Sequence, residues 1–165
     1  DTVMAMTGNF LRDIQAEDFG AILIRFKNGA IGIVEGTACV YPKNLEETLS
    51  IFGGTGTAVI GGLAVNRVQT WNFETPAPQD DEVAKINGTD PKDVYGSGHT
   101  PLYANYIHAI ENGVDPLVSG TEAIKAMKII LAAYKSQKTG QPVKFDDLEF
   151  STLDMQDSDV RWHRG

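Results

Sequence analysis

The residues best placed to do chemistry lie in "YGSGHTPLYANY", residues 95–106. His99 follows a flexible Gly-Ser-Gly and stands just before a helix start. Thr100 has the side chain of an N-cap, and Pro101 suits the first helical position, where its missing N–H costs nothing. The positive end of a helix disfavours imidazolium, so His99 is expected to be neutral near neutral pH. A neutral imidazole both donates and accepts, which suits a polyhydroxylated ligand. Tyr103 lies one turn further and reaches the same mouth. The spacing fits equally well a His99 that only satisfies a loop carbonyl and a Tyr103 that fills the core.

A second candidate is "YPKNLE", residues 41–46, where Lys43 and Asn44 offer donors to a carboxylate or phosphate. A solvated turn is the simpler reading and the favoured one. Cys39 is the single cysteine, so no internal disulfide forms, which fits a reducing cytoplasm. Its strand-like surroundings suggest a buried structural thiol rather than a nucleophile. His99, His108 and His163 are far apart, without acidic partners at ligand spacing, so no metal site is expected. His108 shares a polar face with Glu111 and Asn112 and is given no role, while Trp71 and Phe73 read as core.

"IFGGTGTAVIGG", residues 51–62, holds five glycines in twelve residues and looks at first like a phosphate-binding loop. A dinucleotide fingerprint needs G-x-G-x-x-G between a strand and a helix, but position 59 is Val. No Gly-Lys-Ser/Thr follows, so it is not a P-loop. "TAVIGG" itself reads as a strand, leaving no helix N-terminus for a pyrophosphate. A hairpin is expected, its glycines giving positive φ and close strand approach.

The elements that must hold these candidates fall in two groups. Residues 2–8, 19–26, 30–40, 47–52, 57–61 and 65–73 read as strands. Asn28-Gly29 predicts a type I′ hairpin. Residues 74–98 form a long polar loop. Two helices follow. The first carries Leu102, Tyr103, Tyr106, Ile107 and Ile110 at helical spacing and ends at Gly113. The second starts at the capping box of Ser119 and Glu122 and stops at Gly140 and Pro142. Strands first and helices second predict an α+β fold, a mostly antiparallel sheet of about six strands with helices on one face. In "FGAILIRF" Ile22, Ile24 and Phe26 point one way, and Phe19, Ala21 and Leu23 the other. Both faces are apolar and two helices cover only one. The other face should meet another subunit or domain, which argues for a homo-oligomer.

The 165 residues suffice for one core, and the net charge of −8 disfavours nucleic acid and anionic membranes. No run is long enough to cross a bilayer and no leader is recognisable, so a cytoplasmic protein is expected. The chain opens in a strand without an initiator Met, which suggests a fragment. The acidic tail after residue 147 carries no structural expectation.

"GHTPLYANYIHAIENGVDPLVSGTEAIKAMKIILAAYKSQKTGQPV", residues 98–143, closely resembles the C-terminal segment of the Gfo/Idh/MocA oxidoreductases. "NGAIGIVEGT" and "GGTGTAVIGG" resemble that family's sheet, and "GGLAVNRVQTWNF" is most similar to its UDP-N-acetylglucosamine-uronate 3-dehydrogenase branch. The resemblance implies that residues 1–147 are a substrate-binding and oligomerisation domain and 148–165 a tail. It implies that an N-terminal Rossmann domain, with NAD or NADP and a Lys motif, is missing. The family's Asp-x-x-x-His pair normally sits just upstream of the first strand here. No residue of this chain is therefore carried over as catalytic or cofactor-binding, and the fragment alone should bind no cofactor. His99 and Tyr103 match positions near the substrate pocket. With Lys43 and Asn44 they are the expected contacts for a sugar or nucleotide sugar in an NAD(P)-dependent dehydrogenase that is inactive as this fragment. The alternative is a stand-alone, non-catalytic sugar-binding or assembly module.

Overall fold

The computed structural model describes residues 1–86, 88 and 98–155. The elements in chain order are β1 (Thr2–Gly8), β2 (Phe19–Arg25), β3 (Ile31–Thr37), β4 (Leu49–Gly53), β5 (Gly56–Gly61), β6 (Arg67–Phe73), α1 (Asp80–Val83), α2 (His99–Asn112), α3 (Gly120–Thr139) and β7 (Val143–Lys144), then a 3-10 turn at Thr152–Asp154. They fall into two compact units, Asp1–Cys39 with Val118–Gly165, and Val40–Leu117.

The α+β class holds, with every strand pairing antiparallel, but the single sheet of about six strands does not. There are two sheets, of order β3-β2-β1-β7 and β4-β5-β6. After β3 the chain is irregular until β4, and this stretch contains Pro42, which cannot donate to a ladder. β4 consequently pairs with β5 alone. β7 is only two residues long, too short to carry a periodic signal.

In the first unit α3 lies on β1 and β7. Val3, Ala5 and Val143 from the sheet meet Ala132 and Ala133 of the helix, with Ile22, Ile129 and Leu148 around them. The small helix residues let α3 approach the strands closely. The other face of this sheet stands open: Leu23 is 49%, Ile31 56%, Met6 66% and Ile33 78% exposed. The alternation expected for β2 is thus realised, with Ile24 buried and Leu23 in solvent.

The β2–β3 link departs from the type I′ expectation. Phe26 N–H bonds the Ala30 carbonyl, and Gly29 N–H bonds that of Phe26, both at 2.9 Å. The loop therefore has three residues, and only its last, Gly29 (φ 89°), takes positive φ. Asn28 instead uses Oδ1 to accept from Ala30 N–H at 3.1 Å.

In the second unit β4 and β5 form the hairpin expected of the glycine-rich stretch, in the register Gly53↔Gly56. Close approach explains Gly56, where a Cβ would collide with the Phe73 ring, whereas at Gly61 it would meet only the movable end of the Gln69 side chain. Positive φ explains only Gly62 (φ 102°) among the five. Trp71 packs edge-on to Phe73, ring centroids 5.1 Å apart, and donates its indole N–H to Asp80 of α1 at 2.9 Å. Ile86 and Gly88 lie beside the start of β6, with Val68 N–H on the Ile86 carbonyl (3.0 Å) and Gly88 N–H on that of Asn66 (2.8 Å).

α2 begins earlier than expected. Its N-cap is Gly98, with no side-chain cap, so Thr100 is already helical and not the cap. Gly113 (φ 63°) and Gly140 (φ 66°) end α2 and α3 as expected, and Ser119 caps α3 by accepting from Glu122 N–H. Among the described residues no helix is long and apolar enough to cross a membrane.

Candidate functional site

His99 and Tyr103 both lie on α2, in the second unit, at i and i+4, so they share one face of its first turns. Both are exposed, Tyr103 at 64%. Tyr103 is therefore not a core residue. The flank "YGS" before Gly98 lies outside the described residues, as do residues 87 and 89–94 of the long loop, His163 and the end of the tail.

Lys43 and Asn44 belong to the same unit but sit on the irregular segment between β3 and β4. Both are exposed, as expected of a solvated turn, between Tyr41 (93% exposed) and Leu45 (75%). The four residues thus come as two pairs, one on a helix face and one on a coil. α2 leaves a broad apolar face in solvent as well, with Ile107 56% and Ile110 74% exposed.

His108 is exposed as expected, and Asn112 Nδ2 meets its carbonyl at 2.8 Å. Cys39 is only partly buried, its thiol 3.5 Å from the Asp18 carbonyl oxygen. No group of three His, Cys, Asp or Glu side chains able to hold a metal ion occurs among the described residues.

Sequence reasoning missed a second polar group, in the first unit. A hollow of about 410 Å³ lies beside α3, lined by Gly20, Val34, Gly36, Thr37, Glu17 and Tyr134. Its floor is roomy because Gly20 and Gly36 are register partners without side chains. Tyr134 donates to Glu17 Oε1 at 2.6 Å. Burial, with the Glu17 hydrogen bond and charge, pushes the Tyr134 phenol up to about 12, so it serves as a donor and not as a base near neutrality. Nearby Asp18 is 2% exposed. Burial raises its carboxyl, but the Arg12, Leu11 and Phe10 amides, with the Cys39 thiol, outweigh this and hold it well below the usual carboxylate range. The amide bonds are 2.6–2.8 Å long. Tyr134 lies in an apolar helical stripe, and nothing in a stripe reports that its hydroxyl meets Glu17, 117 residues away.

A nicotinamide dinucleotide does not fit the glycine-rich stretch. β5 stands where a helix N-terminus would have to receive the pyrophosphate, and the glycines pack against Phe73 and Gln69.

Comparison with known proteins adds the following. The family described as "Oxidoreductase family, C-terminal alpha/beta domain" (GFO_IDH_MocA) matches residues 2–145. The WlbA dehydrogenase from Bordetella pertussis, solved with NADH and UDP-GlcNAcA, is 33% identical with a TM-score of 0.74, over 86% of this chain and 39% of that one. The Chromobacterium violaceum WlbA dehydrogenase, with the same two ligands, is 34% identical with a TM-score of 0.73, over the same shares. A levoglucosan dehydrogenase shares the fold at 20% identity and a TM-score of 0.63, over 86% of this chain and 44% of that one. This chain thus spans about two-fifths of the length of the WlbA relatives. No curated protein matches it.

Proposed function

Because the chain belongs to the Gfo/Idh/MocA oxidoreductase family and corresponds to its C-terminal α/β domain, we propose that it is the substrate-binding and oligomerisation domain of an NAD(P)-dependent dehydrogenase acting on a nucleotide sugar. The observation that carries this reading is the 33–34% identity to two dehydrogenases solved with NADH and UDP-GlcNAcA. The substrate class is accordingly a nucleotide-activated uronate. The parent reaction is hydride exchange between a sugar carbinol carbon and nicotinamide, chemistry that the cofactor supplies.

Within this division of labour the chain binds and orients the sugar. His99 and Tyr103 project from one face of α2 and offer a donor–acceptor ring and a phenol to hydroxyl groups. Lys43 and Asn44 supply donors to the uronate or phosphate charges. NAD(P) is held by a separate nucleotide-binding domain, in keeping with the lack of fit at the hairpin. The exposed apolar face of α2 suits contact with that domain. The open face of the four-stranded sheet is the self-association surface.

The test uses the polypeptide joined to its nucleotide-binding domain. His99→Ala and Tyr103→Phe should each raise KM for the nucleotide sugar about tenfold, the cost of one good hydrogen bond. KM for NAD should stay unchanged. Unaltered sugar KM in both variants would overturn the assignment of these residues. The 165-residue chain alone should show no NAD heat signal in calorimetry, and tight binding there would remove the two-domain reading.

A further inference from the structure

The hollow beside α3 exists because one row of the sheet lacks side chains. On the face that bears α3 the rows run Ala5–Ile22–Val34 and Thr7–Gly20–Gly36. A Cβ at Gly36 would meet nothing within 4 Å, and neither glycine has a positive φ. Backbone geometry therefore demands neither of them, and what they leave is space. The volume of about 410 Å³ holds about a dozen non-hydrogen atoms, at the roughly 30 Å³ that a water molecule occupies in the liquid. Ile22, Val34 and Ile130 make the walls apolar, and two polar features break them. Inside, Glu17 Oε1 accepts from Tyr134, while among the described residues nothing donates to Oε2. At the margin stands Arg12. Its Nε donates at 2.8 Å to the carbonyl of Ala38, a residue of the wall. Its own N–H donates to Asp18 Oδ2 at 2.7 Å. Asn9 closes the loop that carries it, donating from Nδ2 to the Ile14 and Ala16 carbonyls at 3.0 and 2.7 Å. Arg12 is thus held by backbone and side chain, and among the described residues no carboxylate pairs with its Nη groups.

We propose that this hollow binds a small monocarboxylic acid with an apolar body and a hydroxyl group, its carboxylate on the Nη groups of Arg12 and its hydroxyl on Glu17 Oε2. A guanidinium fork matches a carboxylate bidentately, and an arginine already fixed through its amide and Nε loses little further freedom on binding. Asp18 does not compete for the fork, because its carboxylate already accepts from three amides. One charge is the limit for the ligand. Glu17 and Asp18 line the hollow, Asp13 follows Arg12 in the chain, and no lysine or arginine is among the lining residues. A second anionic group would therefore face like charge without a cation to offset it. The far end of the ligand must instead donate, and Glu17 Oε2 is the acceptor. The apolar walls suit a ring between the two ends. The site uses none of His99, Tyr103, Lys43 and Asn44, so it stands whether or not those residues hold a nucleotide sugar.

An NMR titration of the isotope-labelled 165-residue chain tests this with meta- and para-hydroxybenzoate, which carry the two groups on a ring at two spacings. One of them should bind with a Kd of about 1 mM or below and shift the amides of Gly20, Gly36 and Ala38. Benzoate, which lacks the hydroxyl, and the matching hydroxybenzamide, which lacks the charge, should each bind about tenfold more weakly. Arg12→Gln should weaken the acid about tenfold and leave the neutral amide unaffected, since only the acid uses the guanidinium charge. Gly36→Val puts a β-branched side chain into the free space, so it should keep the urea midpoint and abolish the shifts. The ligand comparisons need no variant and decide even if Gly36→Val lowers that midpoint. No shift with either acid at about 10 mM overturns the proposal. So does an acid that binds equally well to folded Gly36→Val, or one that neither Arg12→Gln nor removal of its charge weakens.

Discussion

β1 runs past the end of its short neighbour β7, so the amides of Ala5 and Thr7 face α3 instead of a strand. Ser136 Oγ accepts from Ala5 N–H at 3.1 Å and Gln137 Oε1 from Thr7 N–H at 2.9 Å. Ser136 is 1% exposed, so no water replaces it. Ser136→Ala should leave a buried amide without its acceptor and lower stability by about 1–3 kcal/mol in urea unfolding. A cost under a few tenths would mean that β1 shifts to find another partner. Two neighbouring groups set the pH limits of the same unit. Asp18 is ionised in the fold far below the ordinary carboxylate value of about 3.9, so its stabilisation is present above that value and fades as the pH falls below it. Asp18→Asn should be less stable at neutral pH and should lose less on acidification below about pH 4. Tyr134 acts at the other end. Its folded value of about 12 against 10.0 makes its contribution full below pH 10 and lost as the pH rises towards 12. A phenolate absorbance titration of the folded protein should show one late-titrating tyrosine, absent in Tyr134→Phe.

The β4–β5 hairpin makes a paired prediction at the scale of the element. Gly56 lies where a Cβ would enter the Phe73 ring, so Gly56→Ala should cost about 1–3 kcal/mol through overpacking. Gly54, two residues earlier, has open space around it and a φ outside the left-handed region. Gly54→Ala should be neutral or stabilising by about 0.4–1 kcal/mol, because it restricts only the unfolded chain. Thermal melts of the two variants should therefore move apart. Equal losses would show that the turn, not the Phe73 contact, sets the demand for glycine. The hairpin as such was legible, because Val59 breaks the nucleotide fingerprint and a β-branched run follows. The helix stops at Gly113 and Gly140 and the alternation of β2 were legible for the same reason: each is a local rule on a single segment. What depends on another segment was not. Asn28-Gly29 was read as a two-residue turn, although the partner strand sets a three-residue loop. β7 exists only because β1 lies beside it, and two residues carry no pattern. The start of α2 at His99 has no capping side chain to announce it. At the site, the i, i+4 relation of His99 and Tyr103 could be read from spacing, whereas the Tyr134–Glu17 pair could not.

For the molecule as a whole, the proposed self-association through the open sheet face puts Leu23, on β2 and 49% exposed in the single chain, inside the interface. A charge placed there loses its water on association, and an unpaired charge costs several kcal/mol at an interface. Leu23→Glu and Leu23→Lys should therefore each be monomeric at concentrations where the starting protein self-associates. Neither change disturbs α3, which lies on the opposite face, so both variants should keep their urea midpoints. Sedimentation of the variants beside the starting protein decides the matter. Variants that associate as strongly as the starting protein would move the self-association surface off this face.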